Sequence, residues 1–140
     1  MEIQGSKAIF VGGASGMCRA TAERFKQGGG EVAILDLEAS NGGEIAASLG
    51  GKFYPCNVMD YANMDQMIAD AVGDMGGLHF VLNTAGGGNR SVGGTAQRTV
   101  KKDGTRHPTD IFSKVVALNL VASFNINTAA AQHMSTNTPN

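Results

Sequence analysis

Charge is scarce in this chain. Charged side chains make up 16% of its 140 residues, against roughly 25% in an average globular domain. Tryptophan is absent, aromatics reach 6%, and there are three prolines and two cysteines. Each shortage excludes something. A net charge of −1 leaves no excess of cations for a phosphate backbone, which argues against nucleic acid as a partner. Cys18 and Cys56 cannot build a disulfide framework or a zinc site, so a cytoplasmic or organelle-matrix setting is expected. His79, His107 and His133 are scattered without metal-ligand spacing, and no metal is assigned. Unbroken aliphatic and aromatic runs such as Phe80-Val81-Leu82 fall far short of the ~20 residues of a membrane span. Met1 to Ser6 has neither a basic stretch nor a long apolar core, so no secretory signal is expected. At 42% hydrophobic the chain is too apolar for disorder, and one domain with a sizeable core is expected over residues 1–140.

What is abundant is glycine, 20 residues, about twice the usual ~7% and without the collagen period. The glycines punctuate alternating strand and helix signals. Ala8 to Val11 reads as a buried strand closed by Gly12-Gly13. Ser15 to Gln27 reads as a helix with Met17, Ala20, Thr21 and Phe25 on one face, stopped at Gly28-Gly29-Gly30. Val32 to Leu35 is a second buried strand ending at Asp36, Glu44 to Leu49 a short helix, and Lys52 to Tyr54 a third strand ended by Pro55. Asp60 is an N-cap candidate for a helix whose Met64, Met67, Ile68, Ala71 and Val72 follow the i, i+3, i+4, i+7, i+8 pattern. Leu78 to Leu82 is a fourth strand. A Gly-rich basic connection, Gly86 to His107, leads to Pro108-Thr109 and a long helix running to about Met134, then a polar tail. Strands separated by helices cannot be hairpins, so they must lie parallel with right-handed crossovers. The result is an α/β doubly wound parallel sheet.

Gly12-Gly13-Ala14-Ser15-Gly16 stands between the first strand and first helix, where a dinucleotide pyrophosphate binds. Glycines let the backbone approach, and the helix N-terminus offers unpaired N–H groups and partial positive charge. A tight turn alone would account for such glycines. Asp36, 20 residues beyond Gly16 at the end of the second strand, is where an acid can accept from a ribose 2′-OH.

Four segments then resemble the short-chain dehydrogenase/reductase family. Val11-Gly12-Gly13-Ala14-Ser15-Gly16-Met17-Cys18 resembles its T-G-x-x-x-G-x-G loop, and Asn83-Thr84-Ala85-Gly86 its N-x-A-G motif. Cys56-Asn57-Val58 stands where the family has x-D-V, and Asn119 falls at the Asn of its fifth helix. Residues 87 to 112, the Phe124-Asn125 segment and Thr138-Pro139-Asn140 are similar to type 2 3-hydroxyacyl-CoA dehydrogenases. The resemblance implies a Rossmann-type sheet of strand order 3-2-1-4, truncated after the fifth helix, and NAD as cofactor. It also implies an acyl-CoA or steroid-like substrate. Position by position it places Gly12, Ser15, Gly16 and Met17 along the pyrophosphate and nicotinamide ribose. Asp36 and Leu37 fall on the adenosine ribose, and Asn57 and Val58 at the adenine edge. Asn83, Ala85 and Gly86 line the cleft under strand four. Asn119 becomes the helix-distorting catalytic-site asparagine that positions a proton-relay water.

The departures are as informative. The family's catalytic Ser and Y-x-x-x-K motif are not found: Tyr54 and Tyr61 are followed four residues on by Val58 and Asp65. Val11 replaces Thr, Asn57 replaces Asp, and Cys18 replaces the last loop Gly, where its side chain is expected to crowd the helix start. The Cys18 thiol reads as an inert packed group or as a helix-terminus nucleophile. Arg90, Arg98, Lys101, Lys102 and Arg106, five of the chain's 11 basic residues, read either as a solvated loop or as cations for CoA phosphates. Three readings stay open: part of an active NAD-dependent dehydrogenase, a degenerate dinucleotide-binding module, or a partner-completed fragment. An apolar fourth strand left at the sheet edge is expected to drive homo-oligomerisation or aggregation.

Overall fold

The structure, a computed structural model, describes residues 2–95 and 98–137. Four parallel strands, β1 (Lys7–Val11), β2 (Glu31–Asp36), β3 (Lys52–Pro55) and β4 (Phe80–Asn83), form one sheet in the order β3-β2-β1-β4. Helices α1 (Gly16–Gln27), α2 (Gly42–Ser48) and α3 (Tyr61–Met75) connect them. After β4 come a 3-10 turn (Asn89–Val92), then α4 (Thr109–Val116), a π-helical turn (Ala117–Val121) and α5 (Ala122–Met134). The last three run on as one helix, Thr109–Met134. The expected sheet and strand order are therefore present.

Strand alternation sorts the core onto two faces. Ile9, Val11, Ala33 and Leu35 meet Met64, Ile68 and Ala71 of α3, with Leu118, Ala122, Ile126 and Ala130 of the long helix. Ala8, Phe10, Val32 and Ile34 meet Cys18, Ala22 and Phe25 of α1 and Ala46 of α2. On that face the rings of Phe10, Phe25 and Phe80 lie 5.7 to 6.1 Å apart, edge-on, tilted and stacked. The buried stripe of α1 is thus Cys18, Ala22 and Phe25, not the expected Met17, Ala20, Thr21 and Phe25, and Met17 is 80% exposed. The stripe starts at Cys18, whose side chain lies against the ends of β1 and β4.

Several ends also shift. Leu78 lies outside β4 although fully buried, because its N–H turns to the side chain of Asn137 at 3.4 Å, while Asn137 Nδ2 donates to the Leu78 carbonyl. Asp60 caps α3 as its sequence position predicts, its carboxylate accepting from Asn63 N at 3.1 Å. The basic connection is not featureless: beside its 3-10 turn, Val100 and Arg106 bridge in a small antiparallel hairpin. Thr138-Pro139-Asn140, part of the narrower resemblance, lies outside the described residues.

The helix Thr109–Met134 is long and apolar enough to cross a membrane by length and composition, a feature that unbroken-run lengths hide. Here one stripe of it, Ile111, Leu118, Ala122, Ile126 and Ala130, is buried, most of it in the sheet core beside α3. Another stripe, Phe112, Leu120 and Phe124, is exposed. The β4 edge away from β1 likewise pairs with no strand among the described residues.

The ring cluster and the cap carry separable energies. Phe10→Ala is expected to cost about 3–5 kcal/mol of unfolding free energy, and Asp60→Ala about 1 kcal/mol. Urea denaturation of the two variants checks both, with Phe10→Ala moving the midpoint several times further.

Candidate functional site

The carboxyl ends of all four strands come together, and the turns that leave them enclose a cleft of about 460 Å³. Gly12, Ser15, Asp36, Leu37, Asn57, Val58, Ala85 and Gly86, expected from the sequence, all line it. So do Cys56, Met59, Thr84, Ser91, Val92 and Leu118, none of them among the expected contacts. Thr84 and Cys56 sit inside recognisable motifs and were legible in principle. Ser91 and Val92 belong to the 3-10 turn, whose fold-back onto the cleft has no local sequence signal. A larger groove of about 670 Å³ between α3 and α5 is lined by none of these motifs and stands apart from the strand ends.

The loop after β1 is built for close approach. Gly12 holds φ +79°, and a Cβ on it would stand 2.9 Å from Ala85 N and 3.0 Å from Thr84 Oγ1, so the β1 and β4 turns touch only because this residue is glycine. Gly16 holds φ +57°, and a Cβ there would meet nothing within 4 Å, which leaves its face open. Ser15 stands at the N-cap of α1 in extended backbone but makes no side-chain cap, so the first-turn N–H groups keep their capacity for an external acceptor.

Asp36 ties this loop to β2. Its Oδ2 accepts from Ala14 N at 2.9 Å and its Oδ1 from Leu37 N at 2.8 Å. Each carboxylate oxygen retains a further lone pair, so the acid can brace the loop and still accept from hydroxyls. Open N–H groups at a helix start beside a braced acid fit a dinucleotide, pyrophosphate on the loop and ribose on Asp36.

A family model described as enoyl-(acyl carrier protein) reductase matches residues 12–139. The chain belongs to the short-chain dehydrogenase/reductase family. Members of this family use a nicotinamide dinucleotide. The chain is 33% identical over 141 residues to 3-hydroxyacyl-CoA dehydrogenase type-2 of Drosophila melanogaster, covering 99% of this chain and 53% of that protein. The human protein of the same name is 31% identical, with 99% and 52% covered. Among solved structures, 3-hydroxyacyl-CoA dehydrogenase type-2 from Mycobacterium avium superposes with a TM-score of 0.85 at 30% identity, over 100% of this chain and 54% of that one. An NADPH-dependent 3-quinuclidinone reductase from Rhodotorula rubra gives 0.80 at 27%, over 96% and 49%. The chain thus spans about half the length of the relatives it matches.

Within the short-chain dehydrogenase/reductase frame, four expected residues are not among those lining this cleft. Gly16 and Met17 stand at the loop's mouth, outside the lining set. Asn83 braces the turn after β4, with Oδ1 accepting from Ala85 N at 2.9 Å. Asn119 sits in the π-helical turn, so the helix is distorted where the motif implied. It is exposed rather than buried, and its amide grips Gly87: Nδ2 donates to Gly87 O at 2.8 Å and Oδ1 accepts from Gly87 N at 3.1 Å. The Asn57 side chain accepts from Met59 N at 3.0 Å, leaving its NH₂ free of that turn.

Cys18 does not project into the cleft. It is fully buried, its thiol directed at Val11 O (3.5 Å) and Leu82 O (3.8 Å) between the ends of β1 and β4. The expected crowding therefore appears as a side chain accommodated in the helix–sheet seam. Burial pushes this thiol up to about 11, and the Asp36 charge adds to the shift; Cys56 is pushed up to about 11 for the same two reasons, with Asp60 adding to it. A helix-terminus nucleophile would shift the other way. Both thiols are expected to resist iodoacetamide at pH 8 in the native protein and to react fully in urea. Rapid labelling of Cys18 in the folded chain, read by mass spectrometry, would contradict this placement.

Proposed function

We propose that this chain is the cofactor-binding half of an NAD-dependent short-chain dehydrogenase acting on a secondary alcohol or ketone, with 3-hydroxyacyl-CoA thioesters as the substrate class. The observation that carries the cofactor choice is Asp36, braced at the loop by Ala14 N. A carboxylate there accepts from a ribose 2′-OH and repels a 2′-phosphate. No Arg or Lys occurs from Leu37 to Gly51 to reverse that preference. The substrate class rests on the type-2 relatives, which match 99% of the chain.

The chain's own groups divide the work. The N–H groups from Ser15 onward hold the pyrophosphate, Asp36 and Leu37 the adenosine ribose, and Asn57 and Val58 the adenine edge. Ala85 and Gly86 form the opposite wall, which Asn119 keeps in place through Gly87. Bound nicotinamide supplies the hydride acceptor. Arg90, Arg98, Lys101, Lys102 and Arg106 of the basic connection are exposed, and in this reading they are the cations that would meet CoA phosphates.

The family's Tyr-x-x-x-Lys base is not found in this sequence. The Tyr54 hydroxyl donates to Asp74 at 2.7 Å, and burial together with Asp74 drives it well above the tyrosine range. Neither tyrosine has a Lys four residues on. A positioned base commonly contributes roughly 10²–10⁴-fold. The chain alone is therefore expected to bind NAD without forming NADH from a 3-hydroxyacyl-CoA.

Calorimetric titration tests the reading. NAD should bind more tightly than NADP, and Asp36→Ala should weaken NAD by roughly 10–100-fold, the loss of charge-assisted hydrogen bonds worth about 1.5–3 kcal/mol. Tighter NADP binding by the parent chain would overturn the assignment. The partner-completed reading is favoured by one observation, a β4 edge that pairs with no strand among the described residues, and the exposed Phe112, Leu120 and Phe124 of the long helix add apolar surface. Sedimentation of the 140-residue chain should accordingly show dimers or larger species, and a clean monomer at tens of micromolar would remove it.

A further inference from the structure

The turn after β4 is held by two asparagines, and one serine hydroxyl joins them. Asn83, at the end of β4, accepts from Ala85 N through Oδ1 at 2.9 Å and donates through Nδ2 to Ser123 Oγ at 2.9 Å. Ser123 Oγ donates to the Asn119 carbonyl at 2.8 Å. Asn119 in turn grips Gly87 in both directions, and its Nδ2 also donates to Val115 O at 2.8 Å. The segment Asn83–Gly87 is thus fixed at Ala85 by one asparagine and at Gly87 by the other.

The polarity of this chain leaves little choice. A serine hydroxyl has one proton and two lone pairs. With Asn83 Nδ2 donating to it, its own proton is free for the Asn119 carbonyl. The π-helical turn sets the context: Ala122 N–H bonds to Ala117 O, five residues back. Such widened turns relax the regular helix ladder, and a serine bonding back to a carbonyl four residues earlier pins one of the groups involved. Ser123 itself does not line the cleft. The segment it steadies does, and Ala85 N is the atom a Cβ at Gly12 would strike.

We infer that Ser123 is a positioning residue for the dinucleotide cleft, coupling the asparagine at the end of β4 to the asparagine of the π-helical turn and so setting the Ala85–Gly87 wall. The inference rests on the cofactor reading for its binding consequence and on hydrogen-bond geometry alone for its structural one.

The experiment uses the 140-residue chain and three variants, Ser123→Ala, Ser123→Thr and Asn83→Ala, with NADH as probe. Two readouts are taken: NADH affinity by fluorescence, and amide exchange at Ala85 and Gly87 by NMR. Ser123→Ala should weaken NADH by about fivefold, the factor set by one ordinary hydrogen bond. It should also speed exchange at both amides while the urea midpoint moves little. Ser123→Thr keeps the hydroxyl and should restore both readouts. Adding Ser123→Ala to Asn83→Ala should cost less than it does alone, because the link is already cut. Unchanged exchange and affinity in Ser123→Ala, or no rescue by threonine, would overturn the inference. If the parent chain bound no NADH, the cofactor reading would fall, and amide exchange with threonine rescue would still decide the role of Ser123.

Discussion

Everything in this molecule hangs on the central strand β1. It pairs on one edge with β2 and on the other with β4, and both of its faces are buried. Lys7 aside, every residue of the strand is apolar and at most 1% exposed. The chain leaves β1 toward β2 and β3 and then crosses back to form β4. That reversal opens a crevice at the carboxyl end of β1, between the turn that follows it and the turn that follows β4. Gly12 sits at the point of contact, where any side chain would collide with Ala85 and Thr84.

The cleft is chemically sparse for a site that would hold a dianionic ligand. Asp36 is the only charged residue among the described residues lining it, and it is negative. The groups there that can attract an anion are backbone N–H groups at the start of α1, oriented by the fold and requiring no charged side chain. The acid braces the loop after β1 against the end of β2.

Two surfaces of the fold differ from the rest. The far edge of β4 and the Phe112–Leu120–Phe124 stripe of the long helix leave apolar surface in solvent. The relatives that share this architecture are about twice as long. Even so, the long helix is anchored on its inner side, by its buried stripe and by the asparagine–serine links to the turn after β4. The sheet and the long helix thus hold each other in place on the inner side, while the stripe Phe112, Leu120 and Phe124 stays in solvent.

Alternation of short apolar runs with Gly-stopped helices was enough to read the parallel sheet, and motif order was enough to read strand order 3-2-1-4. The glycine loop, Asp36 and the Asp60 cap were legible because each follows from local rules: positive φ, a helix start, a strand-end acid. Sequence alone could not say which side of α1 is buried, because Met17 and Cys18 are adjacent and both apolar; only the approach of β1 and β4 chose Cys18. Nor could it find Ser91 and Val92 in the cleft, or the roles of Asn83, Asn119 and Ser123. Residues 83 and 123 are 40 positions apart, and a hydrogen bond between them exists only once α5 lies beside β4. Local propensity determines elements and their turns. Partners distant in sequence are decided by packing, which closes on one arrangement of many that the pattern allows.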